Sequence, residues 1–144
     1  LTKKEIIPNI GYISHCFQCG NRFTEKNQVE NCNECGSKMK HAGPLWIENI
    51  FDEEFSKKMK EQIEKFSVEK KCEKILEKAI LESKLPSTYF TLDQISSMMK
   101  TPPLKLEKII DKIKKIGYNA SVTSLNPTGF RANCSIQEIK QLFS

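Results

Sequence analysis

The sequence predicts an α+β chain: a small zinc-ribbon-like β subdomain over residues 1–50, then helices and a winged-helix-like α/β module over 51–144. Three observations carry this expectation. Two Cys-x-x-Cys pairs, separated by twelve residues, stand near the start of the chain. Apolar residues recur at three- and four-residue spacing only after residue 50. The last third reads in order as helix, proline break, helix, two strands and a closing helix.

Taken from the beginning, Glu5-Ile6-Ile7-Pro8 is strand-like, and Gly11-Tyr12-Ile13-Ser14 alternates as a short strand does. The stretch to about His41 is rich in Cys, Gly and Asn and has no helical period, which predicts small strands and knuckles. In His41-Ala42-Gly43-Pro44-Leu45-Trp46 the Gly-Pro pair argues against regular structure, and the only tryptophan of the chain argues for a buried connector. Asp52 is placed to cap a helix whose apolar stripe is Phe51, Phe55, Met59, Ile63 and Phe66, ending near Ser67. A second helix carries Cys72, Ile75, Leu76, Ala79 and Ile80 and stops at Leu85-Pro86. The Glu/Lys pairs along both helices read as a solvated face.

Thr91 caps a short helix through Leu92, Ile95 and Met98/Met99, which Thr101-Pro102-Pro103 breaks. Leu106, Ile109, Ile110, Ile113 and Ile116 then define a strongly amphipathic helix that Gly117 ends. Tyr118–Leu125 and Phe130–Cys134 alternate around the turn Asn126-Pro127-Thr128-Gly129, and Ser135 with Glu138 predicts a capping box for a terminal helix.

The cysteines carry the clearest chemistry. A Cys-x-x-Cys turn is short enough to place two thiolates on one ion while its amides point at the sulfurs, and Zn²⁺ takes four such donors in a tetrahedron. Cys16, Cys19, Cys32 and Cys35 supply them, and each pair is followed by a glycine, Gly20 and Gly36, able to take the positive φ that folds the loop back over the metal. The expected role is structural, because four thiolates leave no open position. An iron centre uses the same ligands and ranks second; ordinary buried cysteines or a redox pair rank third. His15 and His41 flank the site as outer neighbours or surface residues, and the roles of Cys72 and Cys134 stay open. Unpaired spacing of these last two suits a reducing, cytoplasmic compartment.

The formal charge is +5, and four thiolates on one divalent ion bring it to about +3. The excess is local: Lys100 to Tyr118 holds six lysines against Glu107 and Asp111. At 100° per residue Lys105, Lys108, Lys112 and Lys115 share one stripe opposite the isoleucines, which makes either a phosphate-contacting surface or a merely soluble face. Position in a winged helix favours the first, with Arg131, Asn126 and Thr128 of the hairpin as further contacts. There is no Rossmann or P-loop glycine motif, no His-Glu-x-x-His and no apolar run approaching a membrane span. A catalytic set is therefore not expected within this chain, and a monomer is.

A resemblance joins these pieces. Gly11-Tyr12-Ile13-Ser14-His15-Cys16-Phe17-Gln18-Cys19, Cys32-Asn33-Glu34-Cys35-Gly36, Ala42-Gly43-Pro44-Leu45-Trp46, Gly117-Tyr118-Asn119-Ala120-Ser121 and Asn126-Pro127-Thr128-Gly129-Phe130-Arg131 resemble the C-terminal domain of the archaeal and eukaryotic tRNA guanine-26 dimethyltransferases. The resemblance implies a parent enzyme that uses S-adenosylmethionine to methylate the exocyclic amine of a tRNA guanine. Its methyltransferase domain is expected upstream of Leu1 and outside this chain, which would be the tRNA-binding part. Two departures stand out: the family's usual Gly-Ile-Lys-Thr-Asp reads here Gly129-Phe130-Arg131-Ala132-Asn133, and Ile47-Glu48-Asn49-Ile50 replaces a glycine-proline pair. Two other classes stay open, a zinc-ribbon and winged-helix DNA-binding transcription factor, and a module that docks the methyltransferase domain through Trp46 and Tyr12.

Overall fold

The computed structural model describes residues 2–143, the side chain of Glu64 excepted. Lys3–Ile6 form a short helix, α1, that runs into a 3-10 turn over Ile7–Asn9. The strand-like reading of Glu5–Pro8 is thereby corrected. The Glu5 carboxylate accepts from the Thr2 backbone N–H at 2.6 Å, and this local closure satisfies an amide that an extended segment without a partner edge would leave free.

Strands β1 (Ile10–His15), β2 (Arg22–Glu25) and β3 (Lys40–Trp46) form an antiparallel sheet in the order β2-β1-β3. The Gly43-Pro44 segment, expected as an irregular buried connector, lies inside β3 with a cis peptide bond, and Ala42, Gly43 and Pro44 are exposed. β3 is an edge strand whose pairing with β1 shifts register opposite Gly43-Pro44, and edges and bulges are where a sheet accepts a residue without an N–H. Trp46 is half-buried at its end and donates its indole N–H to the Asn49 carbonyl at 3.1 Å.

Asp52 caps α2 (Glu53–Gln62), accepting from Phe55 N at 2.8 Å, and α3 (Lys70–Glu82) lies against that helix with Lys60 and Glu77 paired across the seam at 2.7 Å. The predicted apolar stripes are present but only partly covered. Ala79 is buried at the end of α3, whereas Phe55 and Phe66 are 63% and 67% exposed.

Strand β4 (Phe90–Thr91) leads into α4 (Leu92–Met99), where the Thr91 hydroxyl accepts from Gln94 N at 3.4 Å. After Pro102-Pro103 come α5 (Leu106–Lys115), β5 (Ala120–Val122), β6 (Gly129–Ala132) and α6 (Ile136–Gln141), the last opened by the Ser135/Glu138 capping box. The second sheet has the antiparallel order β4-β6-β5. Its core is made by Ile95 of α4, Ile109 and Ile113 of α5, Phe130 of β6, and Ile136 and Ile139 of α6, all nearly inaccessible to water. Ile109, Ile110 and Ile113 of α5 are thus buried as their spacing demands, which leaves Lys108, Lys114 and Lys115 of that helix exposed.

One charged pair is built into the interior. Arg131 of β6 and Glu82 at the end of α3 are both fully buried, with Arg131 Nε 2.6 Å from Glu82 Oε2 and Arg131 Nη1 donating to the Pro86 carbonyl. The same carboxylate accepts from the Thr123 hydroxyl at 2.6 Å and from Ser124 N at 2.7 Å. Donors from Arg131, Thr123 and Ser124 thus converge on the Glu82 carboxylate and join α3 to the β5–β6 hairpin. Removing one charge strands the other in a low-dielectric interior, at a typical cost of about 3–5 kcal/mol. We expect Arg131→Met to lower unfolding stability by about that amount, and Glu82→Leu combined with Arg131→Met to recover much of the loss, as read by urea denaturation.

Candidate metal centre and nucleic-acid interface

The metal lobe has almost no apolar interior. Its buried cluster is Cys16, Cys19, Cys32 and Met39, with Phe23 packed on it. The two knuckles repeat one backbone pattern. Gly20 N donates to Cys16 O and Gly36 N to Cys32 O, both at 2.8 Å, while Cys16 N and Cys32 N donate to Asn21 O and Ser37 O at the same distance. Gly20 and Gly36 take φ of +82° and +74°, the left-handed turn that brings each loop back over its sulfurs.

These turns bring the four Sγ atoms within 4.8 Å of one another. Cys16 and Cys35 are 3.5 Å apart and Cys19 and Cys32 3.6 Å. A tetrahedron with Zn–S bonds of about 2.3 Å has sulfurs about 3.8 Å apart, so the cluster is compatible with zinc. Donors also reach the sulfurs from outside: Glu34 N lies 3.4 Å and Asn21 Nδ2 3.7 Å from Cys32 Sγ. Without a cation the thiols are unequal. Burial pushes Cys19 up to about 12, while the Ser37 hydroxyl and then its backbone amide draw Cys35 down to about 6. A divalent ion would hold all four as thiolates and remove that imbalance. The histidines are otherwise engaged: His41 Nδ1 is bonded to Ser14 Oγ at 3.1 Å, and His15 Nε2 faces Arg22 Nη2 and Gln94 Nε2 at 3.4 and 3.3 Å.

The lobe is locked to the second sheet by Arg22 of β2. Its guanidinium lies 4.9 Å over the Phe90 ring, donates to the Tyr89 carbonyl at 2.6 Å and bonds the Gln94 side chain. At Gly20 the packing is close enough that a Cβ would sit 2.8 Å from Met98 Sδ. Spacing alone reveals neither contact, since Arg22 is a lone cation in a polar stretch and its partners lie about seventy residues away.

The expected basic surface is only partly free. Lys105, Lys108 and Lys115 are exposed along α5, with Lys114 beside them. Lys112 is half-buried and donates its amine to the Leu142 carbonyl beyond α6 at 2.5 Å. Arg131, read from the sequence as a phosphate contact, is inaccessible in its pair with Glu82, and this assignment is corrected: the alternation of β6 turns its side chain toward α3 rather than to solvent. Asn126 and Thr128 also serve the turn. Asn126 Oδ1 accepts from Thr128 N at 2.9 Å, and the Thr128 hydroxyl donates to Asp93 at 2.8 Å. Glu82 is an interior residue that its charge disguises, and the one signal for it is position: it falls three residues after Ala79, the other buried residue of α3.

A family model described as N2,N2-dimethylguanosine tRNA methyltransferase matches residues 1–144. The chain belongs to this family. Relatives within it include the tRNA (guanine(26)-N(2))-dimethyltransferase of Methanobrevibacter smithii, 34% identical over 96% of this chain and 37% of the relative. The tRNA (guanine(26)-N(2)/guanine(27)-N(2))-dimethyltransferase of Aquifex aeolicus is 33% identical over 94% of this chain and 35% of its own length. Among solved structures, Trm1 from Pyrococcus horikoshii in complex with S-adenosyl-L-methionine superposes with a TM-score of 0.78 at 23% identity, covering 98% of this chain and 37% of that one. The chain thus spans little more than a third of the length of these family members. Among the described residues, no helix is long and apolar enough to cross a membrane.

Purified chain is expected to carry one zinc per molecule, with four sulfurs at about 2.3 Å by X-ray absorption, and Cys32→Ser to lower both the zinc content and the thermal stability.

Proposed function

We propose that this chain is the C-terminal, tRNA-binding part of an S-adenosylmethionine-dependent tRNA guanine-26 dimethyltransferase. Its task is to grip the tRNA backbone and present the target guanine to a methyltransferase domain elsewhere in the parent, which must draw that base out of its stack. Zn²⁺ bound by Cys16, Cys19, Cys32 and Cys35 serves as a structural ion, and no residue of this chain is assigned to catalysis or to the cofactor. Residues 1–50 act as the metal lobe and 51–144 as the helical and winged-helix-like module.

The observation that carries this reading is the amphipathic geometry of α5. Ile109 and Ile113 anchor one face in the core, so Lys108 and Lys115 are held exposed on the flank of that face, with Lys105 exposed at the N-cap position just before the helix. The order α4, proline break, α5, β5–β6 hairpin, with β4 completing the sheet, supports a winged-helix reading, in which the second helix meets nucleic acid. Three exposed cations at helical spacing match phosphates along a backbone without reading sequence.

A separate observation supports a seat for the rest of the parent enzyme. Phe55, Met59, Phe66 and Val68 line an apolar groove of about 540 Å³ between α2 and α3.

Replacing Lys105, Lys108 and Lys115 together by Gln is expected to weaken tRNA binding and to reduce the slope of log affinity against log salt by about one for each phosphate that is no longer neutralised. An unchanged affinity and slope would remove α5 from the interface. Tighter binding to duplex DNA than to folded tRNA at equal salt would favour the transcription-factor class instead.

A further inference from the structure

We propose that Phe17, backed by His15, is a stacking platform for one unpaired RNA base; this rests on the RNA-binding reading above and assigns it a single-stranded contact. Phe17 is 67% exposed on the tip of the first knuckle, between two of the four cysteines. Its backbone is fixed on both sides, by the Cys16–Gly20 and Cys16–Asn21 bonds and by the sulfurs that flank it. One side of the ring lies against His15, with centroids 4.5 Å apart and planes tilted by 33°. His15 is itself held by Arg22 and Gln94. The aromatic pair is thus positioned before any ligand arrives, which lowers the ordering cost of stacking.

The fold does not need this ring. The second knuckle has the same backbone pattern, and the equivalent place between its cysteines is Asn33, an exposed amide bonded to Asn21 at 2.8 Å. An aromatic at position 17 therefore adds exposed apolar surface without adding core. Nor does its setting suit a protein partner: Phe17 lies outside the apolar groove between α2 and α3, and its neighbour Gln18 is exposed and polar. A single open π-face beside an amide able to reach a base edge is the arrangement that binds unstacked nucleotides, tolerant of sequence and independent of phosphate charge.

The test uses the zinc-loaded chain with two probes, a twelve-nucleotide single-stranded RNA of mixed sequence and an RNA duplex of the same length, titrated at several salt concentrations. Phe17→Ala is expected to weaken single-strand binding by roughly tenfold or more, to leave duplex binding and the salt slope unchanged, and to keep the full zinc content. Phe17→Tyr is expected to restore single-strand affinity. Equal single-strand affinity in wild type and Phe17→Ala, while the triple lysine variant still loses salt slope, would overturn the platform and leave the RNA-binding reading standing. An equal loss on both probes, or loss of zinc in Phe17→Ala with no rescue by Tyr, would also overturn it, as a structural role. Failure of the wild-type chain to bind either RNA would overturn both readings.

Discussion

The closure of two short loops onto one point by four sulfurs is the constraint on which the N-terminal lobe depends. Outside the cysteines its buried interior is little more than Met39 and part of Phe23, far less apolar surface than a free sheet of this size needs. The sulfurs are therefore the core. Once they are held, the ends of β1 and β2 are fixed, and the side chains on them become rigid instruments. Arg22 is the most consequential of these, since its guanidinium, spread over Phe90 and bonded to Tyr89 and Gln94, ties the cysteine-closed lobe to the isoleucine-filled module.

The cations of the chain divide by environment rather than by type. Arg131 is held inside, where its bond to Glu82 ties α3 to the hairpin. Arg22 and Lys112 sit at seams, each donating to a backbone carbonyl beyond its own element. Lys105, Lys108 and Lys115 have no such task in the fold and face solvent from a helix that cannot rotate. The Glu/Lys pairs of α2 and α3 neutralise each other at the surface, as in Lys57 with Glu53, and contribute little to stability. On the function proposed above, electrostatic recognition falls to α5 and the surface beside it.

Local signals in the sequence are informative where a few neighbouring residues decide the outcome. The cysteine spacing with its trailing glycines, the Asp52, Thr91 and Ser135 caps and the isoleucine period of α5 all specify structure within one or two turns, and each is found as read. What spacing does not convey is long-range choice. Glu82 and Arg131 look like surface charges until β6 is seen to pass α3, and β4, only two residues long, has no alternation to detect. Gly43-Pro44 reads as a break because Pro disrupts central strands, whereas an edge strand accommodates it. Phe17 carries no signal within its own knuckle; its meaning emerges from contrast with Asn33 and from the His15 ring behind it.

The central claim is that the metal lobe and α5 face one RNA together. Amide hydrogen exchange of the zinc-loaded chain, followed by mass spectrometry with and without folded tRNA, addresses this directly. The account predicts slowed exchange on tRNA addition both at residues 16–20 of the first knuckle and along Leu106–Lys115, with α2 and α3 unaffected. Protection confined to α2 and α3, or none at the knuckle and α5 under conditions where tRNA is bound, would contradict it.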